Sequence, residues 1–301
     1  MRLGCHCHPC PSFTPTMSTR KSTKLRIPHS QEDCELVGIL EQLTPTESTQ
    51  GTKIALILHG TMGHKDYLFQ KRLALRFPMD SFRFDFRGNH ESGGKRKQSG
   101  FAKDVEDLVT VVSYLRNAYG YEIDVVVGHS RGSVAGMYWL CTSEEGQRAH
   151  GMINVSGRYR MHRIYDAAET YKEQWDAKGY YERTVTVARQ AIVERIYPED
   201  LEEFSQWNTA IVWDKFPAQI DVLTMHGLAD KTVPAYDAII YSRALGARTP
   251  GTHSLHLIEE ADHNFTNRQD EVVDCILEWW DGIGQGRLKT GILMTGVRGK
   301  L

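Results

Sequence analysis

One serine lies in a pattern typical of a covalent nucleophile. Ser130 is the central residue of the stretch 128–132, which reads GHSRG and follows the apolar run 123–127. This pattern, G-x-S-x-G between a strand and a helix, forms a turn so sharp that side chains at its glycine positions would collide with neighbouring backbone. We therefore expect the Ser130 hydroxyl to be exposed at the edge of a sheet, next to the N-terminus of a helix.

Two later loops supply the partners that such a serine needs. A serine hydroxyl is a poor nucleophile near neutral pH, and it needs a histidine to accept its proton and a carboxylate to orient that histidine. Asp230 follows the predicted strand 221–225, and His263 follows the last predicted strand, 253–258. In sites built on a G-x-S-x-G turn, the three residues follow one another along the chain in the order serine, acid, histidine. We predict Ser130 as nucleophile, Asp230 as the orienting acid and His263 as general base.

Position separates these residues from their rivals. The other histidines near predicted strand ends lie inside strands or beside glycines in predicted turns: His59, His129, His226, His253 and His256. The rival acids are Asp221, Asp237, Glu259, Glu260 and Asp262. Asp221 starts its strand at the wrong edge of the sheet, Asp237 begins the next helix, and Asp262 is expected to be solvated.

Two backbone N–H groups are predicted to hold the negative charge that develops on a carbonyl oxygen during attack. One belongs to Arg131, directly after the nucleophile. The other belongs to Thr61, in the glycine-containing loop that follows the predicted strand 53–58. Together they would form an oxyanion hole.

Alternating strands and helices must position these loops. Apolar runs predict strands at 34–43, 53–58, 82–86, 123–127, 151–155, 221–225 and 253–258. Three-and-four spacing and capping residues predict helices at 66–76, 101–115, 133–140 and 272–280. Strands separated by helix-length segments indicate an α/β fold with a mainly parallel, doubly wound sheet.

One long interval breaks this alternation. Within it, the segments 166–178 and 185–196 show helical patterns. We predict that residues 157–217 form an inserted helical lid at the carboxyl edge of the sheet; the alternative is that the extra helices only pad the fold.

The two ends of the sequence are predicted to lie outside the main domain, which we place at residues 32–284. Residues 1–31 contain basic residues, serine and threonine but no acid, and are predicted to be a disordered leader that faintly resembles a mitochondrial transit peptide. They lack the apolar stretch of a secretory signal, so we expect a cytoplasmic protein, with mitochondrial import as the alternative and Met17 as an alternative start. Residues 285–301 form a predicted C-terminal tail.

Composition narrows the possible partners. The 301 residues are 41% hydrophobic and 25% charged, which is typical of a globular protein. The formal net charge is −2, so no global field would recruit nucleic acid, and no run approaches the roughly 20 apolar residues of a transmembrane segment. The six cysteines form no disulfide framework, and the CHCHPC run at 5–10 is spaced too tightly for paired zinc ligands. No nucleotide-binding motif is present, so we expect neither metal nor cofactor.

The motifs together resemble the α/β-hydrolase superfamily over residues 53–282. They look like its feruloyl or cinnamoyl esterase and serine-aminopeptidase-like branch, which includes monoacylglycerol lipases, at 59–61, 83–92, 128–130, 226–234 and 261–263. The resemblance implies a serine hydrolase that cleaves a small-molecule carboxylic ester through an acyl-enzyme and needs no cofactor. This sequence departs from the branch at two places. Asn89 and His90 stand where the branch usually has a glycine, and Arg131 stands where it often has a small or amide residue. Arg131 would put a cation at the mouth of the site.

Two other functions stay open at this stage. The same triad could cleave a peptide or amide at a free amino terminus, which would need an acidic subsite such as the lid acids Glu194, Glu199, Glu202 and Glu203 could supply. A catalytically retired member of the fold could instead bind a small molecule.

Overall fold

Eleven strands and eight α-helices alternate along the part of the chain that a computed structural model describes, residues 20–293. The strands are β1 (Lys21–Pro28), β2 (Glu35–Gln42), β3 (Lys53–Leu58), β4 (Asp80–Phe84), β5 (Glu122–His129), β6 (Gly151–Val155), β7 (Tyr181–Val187), β8 (Gln190–Ile196), β9 (Asp221–Gly227), β10 (His253–Ile258) and β11 (Gly291–Ile292). The helices are α1 (Gln70–Arg76), α2 (Phe101–Tyr119), α3 (Arg131–Thr142), α4 (Lys172–Lys178), α5 (Pro198–Ser205), α6 (Ile211–Asp214), α7 (Tyr236–Leu245) and α8 (Gln269–Gly284). Two 3₁₀ helices span Gly146–Arg148 and Met161–Thr170.

Nine of the strands form one sheet in the order β1-β2-β4-β3-β5-β6-β9-β10-β11. β1 and β4 pair antiparallel with β2, and every other neighbouring pair in this sheet is parallel. The predicted mainly parallel α/β sheet is therefore confirmed. Because the carboxyl ends of β3, β5, β6, β9 and β10 meet at one edge, the loops that follow these strands are brought together.

Both faces of the sheet are covered by helices. Successive residues of a strand point to opposite faces, so Leu56 and Leu58 pack on the side of α2, α3 and α7, whereas Ala55 and Ile57 pack on the side of α1 and α8. The central strand β5 is buried along all but its first residue, which is typical of a parallel strand covered on both faces. No helix within the described range is both long and apolar enough to cross a membrane.

The predicted disordered leader is wrong for its described part. Strand β1 pairs with β2 along its whole length, from Lys21 to Pro28. Its sequence alternates, and this buries Leu25 and Ile27 in the core while Lys24 and Arg26 face solvent. The prediction rested on the basic, serine and threonine content of residues 1–31 and overlooked this short alternation of buried and exposed positions. Residues 1–19, with the CHCHPC run and Met17, lie outside the described residues, and at the other end β11 adds a parallel strand from the predicted tail.

Two local predictions also fail. The predicted helix at 185–196 is the hairpin β7–β8, in which Ala188 and Arg189 both have positive φ, as a tight two-residue hairpin turn requires. The alternating valine and threonine of β7 favour this strand over a helix. Helix α1 begins at Gln70 and not at Asp66, because the Asp66 carboxylate accepts a hydrogen bond from Arg83 (2.8 Å) and does not cap the helix.

Candidate active site

The backbone of Ser130 is strained where β5 turns into α3. Its φ is 51° and its ψ is −114°, in a region that residues with side chains rarely adopt. A side chain at Gly128 would place its Cβ 2.4 Å from the Ser133 backbone, and one at Gly132 would place it 2.6 Å from the His59 carbonyl oxygen. The predicted need for glycine on both sides of the turn is confirmed, and the turn presents the serine at the edge of the sheet.

The structure brings the three residues predicted from the sequence into one hydrogen-bonded chain. His263 Nε2 lies 3.0 Å from Ser130 Oγ, and His263 Nδ1 lies 2.7 Å from Asp230 Oδ2. The side chain of Asp230 is fully buried, whereas that of His263 is 14% exposed. This arrangement lets the imidazole accept a proton from the hydroxyl while the carboxylate holds its other nitrogen.

Asp230 is held as an anion by donors on several sides. Its Oδ1 accepts the backbone N–H groups of Thr232 and Val233, both at 2.8 Å. Burial alone would raise the pKa of Asp230, but hydrogen bonds from His226 and His263 outweigh it, and the pKa lies well below its ordinary value. The carboxylate therefore stays charged at neutral pH.

His226 contacts Asp230 and was not among the site residues predicted from the sequence. It was predicted to lie in a turn, but it is part of β9 and is completely buried. Its Nε2–H donates to the Val233 carbonyl (2.8 Å) and lies 3.2 Å from Asp230 Oδ2. The four-residue spacing between His226 and Asp230, across the end of a strand, was the available signal.

The rival acids are occupied elsewhere. The buried carboxylate of Asp237 pairs with Arg160 (2.5 Å). Asp262 is exposed and accepts hydrogen bonds from the N–H groups of Asn264 and Thr266, which shape the loop that carries His263. Asp221 lies at the opposite end of β9, as predicted.

The two predicted oxyanion donors line the cavity that Ser130 also lines. Thr61 and Arg131 line the same cavity as Ser130, and within residues 20–293 neither backbone N–H donates to the protein. His59 fixes the preceding loop, since its Nδ1 lies 2.7 Å from the Gly60 carbonyl oxygen and its Nε2 accepts the N–H of Phe86. Burial lowers the pKa of His59 to about 4, so the ring is neutral and can play both roles.

His129 contacts His263, the predicted base. Its Nε2–H donates to the backbone carbonyl of His263 at 2.9 Å, and the two rings lie 5.1 Å apart. Burial, with the nearby His263 acting in the same direction, lowers the pKa of His129 to about 3. His129 therefore helps to fix the position of His263 without carrying a charge.

The side chain of Arg131 is not a free cation at the mouth of the site, as the sequence suggested. It is buried, its Nε donates to Asp104 (2.5 Å), and its Nη1 donates to the Gln98 carbonyl (2.5 Å). Its guanidinium also stacks on Phe101, with 4.3 Å between the Cζ atom and the ring centroid. The charge of Arg131 is thus matched from within the fold, which could not be read from neighbouring residues in the sequence.

A cavity of about 640 Å³ lies above the serine and extends under the inserted segment. Its floor comes from residues 129–131 at the turn between β5 and α3 and from the loops after β3, β9 and β10. Its roof comes from the segment between β6 and β9, including Tyr171, Val185 and Phe204. The volume is in the range typical of small-molecule sites.

Comparison with known proteins places the chain in a family. The chain belongs to the alpha/beta hydrolase family, whose model matches residues 55–275, and this confirms the resemblance drawn from the motifs. It is 30% identical over 232 residues to the uncharacterized protein YDL057W of Saccharomyces cerevisiae, covering 71% of this chain and 69% of that protein.

Solved structures share the fold at low sequence identity. Est1E from Butyrivibrio proteoclasticus with ferulic acid bound is 17% identical, with a TM-score of 0.66 over 86% of this chain and 99% of that one. The esterase Pf2001 from Pyrococcus furiosus is 18% identical, with a TM-score of 0.59 over 91% and 92%. Mouse alpha/beta hydrolase domain-containing protein 10 is 17% identical, with a TM-score of 0.60 over 87% and 99%. The protein therefore has the fold of a hydrolase.

Proposed function

We propose that the protein is a serine hydrolase that cleaves carboxylic esters through an acyl-enzyme. The observation that carries the proposal is the hydrogen-bonded chain from Ser130 through His263 to the buried Asp230 at the floor of a cavity. A strained nucleophile, a base in contact with it and a charged acid behind the base are the parts that acyl transfer requires.

Each step of the reaction has a residue to perform it. Ser130 Oγ attacks the ester carbonyl carbon while His263 Nε2 takes its proton, and the N–H groups of Thr61 and Arg131 bind the resulting oxyanion. The intermediate collapses, and the leaving alcohol receives the proton from His263. A water molecule, deprotonated by His263, then attacks the acyl-enzyme, releases the acid and restores the serine. Asp230 keeps the proton of the neutral base on Nδ1 and stabilises the imidazolium.

Two observations favour an ester over a substrate with a free amino terminus. Among the lid acids, Glu194 is buried and pairs with Arg96 and Arg183, and Glu203 pairs with Lys97. Glu194 is therefore not free to bind an ammonium group, and the positive charge of Lys97 beside Glu203 opposes such binding there. One structural relative is named an esterase and another was solved with ferulic acid bound, which also supports an ester.

We also propose that residues 157–217 act as a lid that selects the substrate. This segment lies between β6 and β9 and supplies the roof of the cavity. Arg96, in the loop before α2, pairs with Glu194 of β8, and Ser99 donates to Asp200 of α5 (3.2 Å). Contacts distant from the carbonyl supply discrimination between substrates, so the roof is the place where acyl or alcohol groups would be distinguished.

The test of the function compares Ser130→Ala with Ser48→Ala, which changes an exposed serine outside the cavity lining. The unchanged protein should hydrolyse 4-nitrophenyl acetate, react with a fluorophosphonate at Ser130 and leave aminoacyl 4-nitroanilides largely intact. Loss of a triad nucleophile lowers kcat by about a millionfold, so Ser130→Ala should fall to background. Ser48→Ala should keep its turnover. A Ser130→Ala protein with a tenth of the activity would refute the assignment, and an inactive but folded unchanged protein would favour the retired-enzyme alternative.

A further inference from the structure

Basic side chains dominate the wall of the cavity. Within the described residues, one acidic residue lines it, Asp166, against five basic ones: Arg131, Arg158, Arg163, Arg183 and Lys231. Three of these five cations are already matched by carboxylates, namely Arg131 by Asp104, Arg163 by Asp166 and Arg183 by Glu194, at 2.5 to 2.7 Å. The remaining two decide the charge that a substrate meets.

Arg158 and Lys231 are these two residues, and neither has a carboxylate within 4 Å among residues 20–293. Arg158 lies three residues beyond β6, at the same sheet edge as the nucleophile. It is half-buried, and its Nη2 donates to the Thr232 carbonyl at 2.6 Å, which anchors it to the loop that contains Lys231. Burial lowers the pKa of Arg158, with Asp237 and Asp230 opposing this effect from a distance.

A half-buried guanidinium without an ionic partner is a ready site for an anion. Its remaining N–H donors are fixed in a planar fork that matches a carboxylate, and partial removal of water strengthens the attraction. Lys231 is exposed at the rim, where a flexible ammonium adds a second positive charge. A substrate with a free ammonium group would be repelled by the same surface.

Building on the proposed esterase function, we infer that the substrate is an ester that carries a carboxylate away from the reacting carbonyl, and that Arg158 and Lys231 bind this carboxylate. Ser130 and its partners perform the hydrolysis, whereas the two cations determine which ester is bound. The inference adds a charge requirement to the substrate that the triad itself does not impose.

Matched pairs of charged and neutral esters test the inference. One pair is mono-4-nitrophenyl adipate and its methyl ester, with the charge on the acyl side; the other is 4-acetoxybenzoate and methyl 4-acetoxybenzoate, with the charge on the alcohol side. For at least one pair, after subtraction of spontaneous hydrolysis, kcat/KM should be about tenfold higher for the charged ester at low salt. The preference should shrink as salt screens the charges.

Substitutions then assign the preference to residues. Arg158→Gln should lower the charged-to-neutral ratio of kcat/KM at least about fivefold, and Lys231→Gln should lower it less because its ammonium is more exposed. Arg158→Lys should retain most of the ratio, since it keeps the charge. The control is Arg243→Gln, an exposed cation on α7 outside the cavity lining, which should leave the ratio unchanged.

Binding separates failure of this inference from failure of the proposed function. Calorimetry with Ser130→Ala should detect monomethyl adipate but not dimethyl adipate, or 4-acetoxybenzoate but not its methyl ester, and the additional change Arg158→Gln should abolish the difference. If neither ester is cleaved but this binding pattern holds, the esterase function is wrong and the anion site stands. If the neutral esters are cleaved through Ser130 and the ratio is one or less for both pairs, the function stands and the inference is wrong.

Discussion

Replacing Asp230 by asparagine tests how the base is oriented, with almost no change of shape. The Oδ1 of Asp230 accepts two backbone N–H groups, so an asparagine oxygen would take that place, and its NH₂ group would face His263 Nδ1, which lies 2.7 Å from Oδ2. An NH₂ group donates where the carboxylate accepted. His263 would therefore carry its proton on Nε2 and could no longer accept one from Ser130.

The expected loss follows from this change of tautomer. The same substitution in another catalytic triad lowers kcat by about 10⁴-fold, which corresponds to about 5.5 kcal/mol in the activation free energy. Stability should fall as well, because the new NH₂ group would oppose the N–H of His226, 3.2 Å from Oδ2, and an unsatisfied buried donor costs about 1–3 kcal/mol. The two losses are separable because one is kinetic and the other is measured at equilibrium.

The measurement is kcat for 4-nitrophenyl acetate, together with the free energy of unfolding from urea titration to confirm that the assayed protein is folded. The matched control is Asp262→Asn, which changes an exposed carboxylate one residue from the base and should alter kcat by less than about threefold. If Asp230→Asn keeps a tenth of the activity, or if Asp262→Asn is the more damaging change, Asp230 does not orient the base.

Three further predictions follow from the packing around the site. Gly132→Ala should lower the free energy of unfolding in urea by about 1–3 kcal/mol and impair turnover, because its Cβ would lie 2.6 Å from a backbone oxygen; Gly284→Ala, with open space around it, is the control, and equal effects would refute the reasoning. The buried His59 and His129 have pKa values lowered from 6.5 to about 4 and about 3, so the unfolded chain binds more protons below pH 6.5. The contribution of each ring to the free energy of unfolding should therefore fall by about 1.6 kcal/mol between pH 6.5 and 5, and an NMR titration that gives either ring a pKa near 6.5 would contradict these positions. Glu194→Gln removes the shared carboxylate of two arginines and should loosen the proposed lid, so the kcat/KM ratio between long-chain and acetyl esters should shrink; an unchanged ratio would mean that the segment does not select substrates.

Local patterns were sufficient for seven of the nine strands of the sheet, all but β1 and β11, and for the three residues of the hydrogen-bonded chain. Ser130, Asp230 and His263 each follow a strand, and parallel strands bring their carboxyl ends to one edge whatever the details of the connecting helices. The glycines at 128 and 132 had a local reason that the structure confirms, since a Cβ at either position would strike backbone.

Strand β1 and the hairpin β7–β8 were predicted wrongly because their structure depends on pairing with another strand. Strand β1 is stabilised by β2, which lies beyond a loop, and the hairpin β7–β8 depends on a turn whose two residues have positive φ. Amphipathic spacing over so few residues fits a helix and a strand nearly equally well. Whether such a segment forms a strand or a helix is therefore determined by the partner strand and not by the segment alone.

The sequence by itself determined which residues we propose as nucleophile, base and acid, because such residues are recognised by their type and by their place after strands. Only the tertiary structure decided the electrostatics around them. Arg131 is matched by Asp104, 27 positions earlier, and His226 contacts Asp230 across a loop, whereas Arg158 has no carboxylate within 4 Å in the described part of the chain. Coulomb energies depend on distance and burial in space, and neither can be read from the order of residues.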